Sequence, residues 1–580
     1  MNTFWRVTGL WNWTEIIWRH IMTEYKLIVR MLAASLSLLI YGCMPAHTGR
    51  LDMALEMAGK ERGAIERFIA GYAPGSLQRY AAEYLVAGMP CNHTLDGREL
   101  ARYHEFYHLF SVHGKKGLAM VDSIQGVTGK FHSAILRSYP DIRHVGMDFL
   151  RNDMELAFDI RRRLPWCRNV ADSDFIRYVI PYRIGDERVT DWRRETLRRL
   201  PWMTEVIDSL VAEKVDDPLV AAQAIMDRWN RKEFRWTGQL PSGPALGIAN
   251  VTDKAGTCRE FAHGVVYLMR AAGIPSGIDM VPVRGENSAG HSWPFIIGKD
   301  GQTYVTCTEN TSWVPASEFD IIAAKIYREE FGVNDAVDST LPSDPSLRPR
   351  FLRVPRLTDV TEAYKPSASH EICLPDVDCG DAVYLASLGN NEWVAVGFHT
   401  GTGHPVFHDV SEGVVLVAAR MEGDKLMPVC RPFVVGQGGA MRHIGPGGTQ
   451  RKLTAYAKFP LNERNGELVY RCIGGVIEGA DDPAFTVRDT LFRIEGLAKR
   501  RVNSIALPAK SRPHRYYRYY GADGSNCNIA EVALYADAGD MEPLRGRVFG
   551  TPGAVDGDTA HDYRKVFDGD ILTSFDYKEK

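Results

Sequence analysis

The chain has 580 residues, 45% apolar and 24% charged, with a formal net charge of −3. That length supplies ample core for several domains. The near-neutral balance, with lysines and arginines spread rather than clustered, excludes the basic footprint of a nucleic-acid binder.

The first 43 residues read as an export signal behind a surplus front end. Lys26 and Arg30 precede the apolar run Met31 to Gly42, which is too short to span a bilayer and suits a signal-peptide core. The run stops at Cys43, and Leu39-Ile40-Tyr41-Gly42-Cys43 resembles a bacterial lipobox with a bulky Tyr41. This resemblance implies cleavage and lipid attachment at Cys43, hence a cell-envelope protein anchored by acyl chains and facing the periplasm or exterior. Initiation is expected at Met22, since Met1 to Ile21 is Trp-rich and fits no part of a signal. An uncleaved anchor is the competing expectation.

From Leu51 to Asp217 the spacing predicts helices. Apolar residues recur at three and four residue steps over Leu51 to Tyr72, Ser76 caps a second helix running to Met89 before Pro90, and Asp148 to Arg163 and Asp172 to Ile180 are amphipathic. Pro181-Tyr182-Arg183 breaks the last. Trp166, Tyr178, Tyr182, Arg183 and Trp192 mix aromatic with basic character and suit a ligand groove, but aromatics at helical spacing belong more often to a core. Arg161 to Arg163 decorate a helix face. Pro218 to Phe234, with Trp236, is expected to form the first helix of the next domain.

That domain carries the chemistry. Thr257 is an N-cap, Cys258 follows at the first helical position, and Phe261, Val265, Leu268, Met269 and Ala272 recur at helical spacing until the C-cap Gly273 and Pro275. Helix-start dipoles and unpaired N–H groups favour a thiolate and point at a developing oxyanion. Gly277 to Val283 alternates as a strand, His291-Ser292-Trp293 opens a second, and Thr303 to Thr308 forms a third after the Lys299-Asp300-Gly301 turn. In this hairpin His291 and the end of the third strand lie side by side, where an acceptor for the second ring nitrogen belongs. His263, on the Cys258 helix itself, lies beside the thiol rather than across from it and reads as structural.

Three pieces, Gly256-Thr257-Cys258-Arg259-Glu260, the helix end Arg270 to Pro275, and Gly290-His291-Ser292-Trp293, resemble the transglutaminase-like (papain-like) cysteine acyltransferases and peptidases, which include the peptide N-glycanases. The resemblance implies an α+β core in which Cys258 is the nucleophile and His291 the base. The family's third member is an Asp ending a Trp-x-x-x-Asp pattern. Here Tyr304 stands for the Trp, Thr308 occupies the fourth position, and Glu309 is the nearest carboxylate, with Asn310 as substitute acceptor. Such chemistry requires no cofactor. The implied activity is cysteine-dependent amide hydrolysis or acyl transfer on peptides or glycopeptides, and the rival is a non-catalytic glycan- or peptide-binding lipoprotein using the same fold as a scaffold.

Of the remaining cysteines only Cys373 and Cys379 are close enough for a local bridge, and no Cys/His cluster has metal-ligand spacing. Asp, Pro and Ser accumulate over Asp335 to Pro349, marking a boundary. Beyond it Val383 to Leu385, Trp393 to Phe398, Gly413 to Ala419, Leu453 to Ala457 and Leu468 to Gly475 are short strands between turns, predicting an antiparallel β-sandwich. Arg515 to Tyr535 resembles the closing strands of a discoidin-type, galactose-binding-like sandwich, and Val566 to Phe575 the opening loop of another, which suggests a shortened version of a longer protein. Asp568-Gly569-Asp570 is first a turn signal and second a candidate Ca2+ loop.

The expected organisation is multidomain: signal and lipobox over 1–43, a helical N-terminal region over 44–199, the α+β transglutaminase-like core over 200–345, a β-sandwich over 350–495, and partial discoidin-like β segments over 496–580.

Overall fold

The computed structural model describes residues 2–6 and 49–578, except 114–118, 130, 132–134, 230–232, 237–242, 286–288, 308–311, 343, 345–347, 349, 381, 390–391, 424, 449–470, 497–501, 508–510, 528, 538–539, 541, 555–561 and 571–572. The expected export run Met31 to Gly42 and the candidate anchor Cys43 lie outside these residues. Among the described residues no helix is long and apolar enough to cross a membrane. The chain divides into two units, Ser37–Pro446 and Met1–Leu36 with Gly447–Lys580.

The larger unit begins with helices Arg50–Met57, Arg62–Ala70, Leu77–Gly88, Met147–Arg163 and Asp172–Tyr178. The single helix expected over Leu51 to Tyr72 is split, because Gly59 takes φ +58° and a 3-10 turn follows it. Ser76 caps as expected, its hydroxyl accepting from the Arg79 N–H at 3.2 Å. Arg161 pairs with Asp172 at 2.7 Å and Arg162 with Asp159 at 3.3 Å, so this basic run does decorate a helix face. Trp166, Tyr178, Tyr182, Arg183 and Trp192 are all buried, and of these Trp166 also borders a small pocket with Asp174, Asp216 and Lys299. Their polar atoms are used internally: the Trp166 indole donates to Ala272 O at 2.8 Å, the Trp192 indole to Tyr182 O at 2.8 Å, and Arg183 pairs with Asp141 at 2.7 Å.

One apolar core runs from Ala54 through Trp166 and Met203 to Phe331 and takes in Phe261, Val265, Leu268 and Met269 from the Cys258 helix. Helix α1 spans Pro218–Trp229 and α2 spans Cys258–Ala271. Trp236 is not part of a helix. Arg235 and Trp236 form a short strand parallel to Ala255–Gly256.

A six-stranded sheet stands against α2. Its strands are β1 (Ser276–Val281), β2 (His291–Ile297), β3 (Thr303–Val305), β4 (Val314–Pro315), β5 (Tyr327–Glu329) and β6 (Leu357–Asp359), in the order β6-β5-β1-β2-β3-β4 with every pair antiparallel. Alternation along β2 sorts its side chains. Ile296 joins the α2 core, while Trp293, Phe295 and Ile297 join Val305, Phe319 and Tyr364 in a second core on the other face.

Downstream lie antiparallel strands β7 (Ser369–Cys373), β8 (Val383–Leu388), β9 (Trp393–His399), β10 (Val406–Ser411), β11 (Val415–Glu422), β12 (Lys425–Pro428), β13 (Phe433–Val435) and β14 (Met441–His443). They form a sheet β9-β8-β11-β13-β14, with β12 on β11, and a separate β7-β10 pair. Of the expected strands, Leu453 to Ala457 falls outside the described residues, and the described part of Leu468 to Gly475 is turn, not strand. Cys373 and Cys379 are both free thiols, so the local bridge is not formed. This module is fastened to the six-stranded sheet: its core includes Val283 and Ala324, Lys325 Nζ donates to His408 O at 2.6 Å, and Tyr327 Oη donates to Val396 O at 2.6 Å.

The smaller unit is strand-rich. Val476–Ala480 lies between Arg488–Arg493 and Tyr516–Tyr520, and Asn2–Arg6 pairs antiparallel with Val502–Ala506 and Glu531–Leu534. Val566 and Phe575, expected to open a further module, pack instead into one core with Ile477, Ile529 and Val532. Asp568 turns inward on its own loop, accepting from the Asp570 N–H at 2.9 Å and the Thr573 hydroxyl at 3.1 Å.

Candidate active site

The start of α2 is built by a short sequence signal. Thr257 accepts from the Arg259 N–H at 3.3 Å, and Glu260 Oε2 accepts from the Thr257 N–H at 2.7 Å and its hydroxyl at 2.6 Å, a reciprocal capping box. Gly256 is required before it. It takes φ +149°, and an added Cβ would stand 2.3 Å from Glu260 Cβ. At the other end Gly273 takes φ +69°, where a Cβ would meet Ile160 Cγ2 at 2.6 Å and Cys167 Sγ at 3.0 Å. Cys258 is thus fixed as the first residue of a helix pinned at both ends.

The thiol is half-buried and accepts a hydrogen bond from the backbone N–H of Ser292, the residue after His291. Sequence reasoning expects the helix start to favour the thiolate; the structure adds an opposing force. Burial pushes the Cys258 thiol up, the nearby Glu260 carboxylate adds to this, and the Ser292 N–H, Arg259 and Arg284 pull the other way, leaving the thiol above its ordinary value. Burial thus opposes the pull of the helix start.

His291 is the first residue of β2, opposite Val281, and its half-buried ring sits at the end of the sheet. The ring lies 5.5 Å, centre to centre, from Trp293 at an interplanar angle of 42°. Glu309 and Asn310 lie outside the described residues. Tyr304, expected to stand for a tryptophan, donates from Oη to Asp300 Oδ2 at 2.8 Å. The reasoning from sequence missed Trp236, which is 40% exposed and pairs with Gly256 two residues ahead of the thiol. It also missed the capping box, although Thr257-x-x-Glu260 is a readable signal.

His263 is buried among Arg259, Glu187, Glu329 and Arg270, and burial, reinforced by Arg259, holds its pKa down at about 4. Glu187 is tied to the Ile184 and Gly185 N–H groups and to Tyr267 Oη, and Glu329 to Arg259 at 2.8 Å. Because the unfolded chain binds this proton more readily, stability is fully present above pH ~6.5 and is lost as pH falls towards ~4, by roughly 3 kcal/mol. Urea unfolding over that window should show the decline in wild type and a flatter curve in His263→Gln. Glu187 and Glu329, both held low against their own burial, keep a further loss below pH ~4.5 in either protein. Parallel curves for the two proteins would remove His263 as the cause.

Residues 208–317 match the sequence model described as Transglutaminase-like superfamily. The chain carries a transglutaminase-like domain. No curated protein and no solved structure matched the chain. The matched segment of the transglutaminase-like domain starts within helix Pro201–Ala212 and ends in the turn Ala316–Glu318, so it contains Cys258 and His291 but not strands β5 and β6.

Proposed function

We propose that this protein is a lipid-anchored, extracytoplasmic enzyme performing cysteine-dependent amide hydrolysis or acyl transfer on peptides or glycopeptides. The observation that carries it is the Cys258 thiol at the tip of a capped helix, hydrogen-bonded to the backbone next to His291. In this reading His291 takes the thiol proton and the Cys258 sulfur attacks the substrate carbonyl. The oxyanion collects at the helix-start N–H groups. The imidazolium then protonates the departing amine, leaving a thioester that water or a second amine resolves, with His291 again removing the proton. Glu309, or Asn310 in its place, orients the imidazole from its other nitrogen. The strand-rich smaller unit, with its discoidin-like Arg515 to Tyr535 stretch, directs the proposal towards glycosylated substrates.

Incubating the full chain with plain and N-glycosylated peptides should give cleaved peptide, transferred amine or freed glycan by mass spectrometry, and Cys258→Ala should give none. If no product depends on Cys258, the second reading stands, a glycan- or peptide-binding scaffold; the burial that raises the thiol favours it. The envelope location has its own check: the protein should partition into the detergent phase and Cys43→Ser into water. Aqueous partitioning of both removes the anchor.

A further inference from the structure

A buried polar chain runs from the catalytic layer to a helix beyond the matched segment. The Trp293 indole N–H donates to Tyr364 Oη at 2.8 Å, and Tyr364 Oη donates to Asp279 Oδ2 at 2.6 Å. Asp279 lies opposite Trp293 on β1 and opposite Arg328 on β5, and Arg328 meets its two oxygens at 2.9 Å each. Trp293 and Asp279 are fully buried and Tyr364 is 1% exposed. Tyr364 ends the short helix α3 (Thr361–Tyr364), which is itself tied down: the Thr361 hydroxyl donates to Asp359 at 2.6 Å and accepts from the Ile326 N–H at 2.9 Å.

The Trp293 ring is packed by Phe319 at 5.0 Å and Tyr364 at 5.7 Å, and its remaining aromatic neighbour among the described residues is the His291 imidazole. The indole hydrogen bond selects one of the ring's two orientations, because the flipped ring would bury an N–H without a partner. Resting on the proposed role of His291, we propose that Tyr364 is a positioning residue: by holding the Trp293 indole it fixes the floor on which the His291 ring lies and hence the ring's attitude to the Cys258 thiol. No local pattern in the sequence joins Tyr364 to the site, since it lies 73 positions beyond His291 and outside the 208–317 match.

The test is the pH profile of Cys258 alkylation by iodoacetamide, read peptide by peptide, in wild type, His291→Ala, Tyr364→Phe and Trp293→Phe. A thiol–imidazole pair gives a reactive limb below the ordinary thiol range that His291→Ala removes. Tyr364→Phe keeps the ring and deletes only the hydroxyl. It should lower that limb about tenfold. Trp293→Phe should do the same while leaving the Tyr364–Asp279 bond, and the double variant should lose no more than either single one. A Tyr364→Phe protein that melts lower but keeps the wild-type limb overturns the proposal, since a merely structural role moves stability and not the profile. Should Tyr364→Phe fail to fold, Trp293→Phe decides alone: an unchanged limb overturns the proposal, a lowered one supports it. If wild type has no limb that depends on His291, the reading of the site itself fails and the positioning role falls with it.

Discussion

His291→Ala is expected to slow alkylation of Cys258 at pH 6 by roughly 10²- to 10³-fold, in the range typical of a lost acid–base partner. Burial and Glu260 drive the thiol upward, and the opposing Ser292 N–H, Arg259 and Arg284 do not cancel them. Without an imidazole to take the proton, the sulfur stays a thiol until the pH climbs past its raised value. The two proteins should therefore converge in alkaline solution and diverge most in mildly acidic solution. Equal rates at pH 6 would mean that no thiol–imidazole pair exists.

Asp279→Ala should have the largest effect on stability, about 3–5 kcal/mol. Arg328 is 6% exposed and spends its Nε and Nη2 on Asp279, with Thr303 Oγ1 accepting a further bond at 3.0 Å. Removing the carboxylate leaves that guanidinium buried against the Phe295 ring, 3.6 Å from its centre, and takes from Tyr364 the acceptor of its hydroxyl. Against a domain stability of roughly 5–15 kcal/mol such a loss is large. Urea unfolding followed by circular dichroism at neutral pH measures it. A variant within 1 kcal/mol of wild type would show that Arg328 finds water or another acceptor.

Much of the transglutaminase-like layer was legible because its signals are local. Thr257 before Cys258, the three and four residue recurrence to Ala272, Gly273 with Pro275, and the Lys299-Asp300-Gly301 turn each constrain φ and ψ within a few residues; the helix and the turn stand where they predict, while the third strand ends at Val305 instead of Thr308 and its ladder reaches only Phe295. The remainder depends on strand order. Nothing near Asp279 announces Arg328, because their pairing arises from β5 returning beside β1 after 49 residues. The basic-aromatic mix at Trp166 to Trp192 leans towards a core but also suits a groove by composition, and packing decides it: Arg183 is buried, with Asp141 at 2.7 Å taking its charge. Trp236 follows a helical run without a breaker, yet its strand forms because Ala255–Gly256 offers a parallel edge. The thiol's upward shift was illegible for the same reason, since it reflects what surrounds the helix tip rather than the tip itself.

The apolar core shared between Ala54 and Phe331 makes the enzyme-like part indivisible. A fragment trimmed to residues 208–317 would strip Trp166, Trp192 and Ile160 from α2 and leave a wet, sticky flank on the helix that carries Cys258. Shuffling that segment into another protein would fail for the same reason, so the helices upstream must be inherited together with the helix they cover.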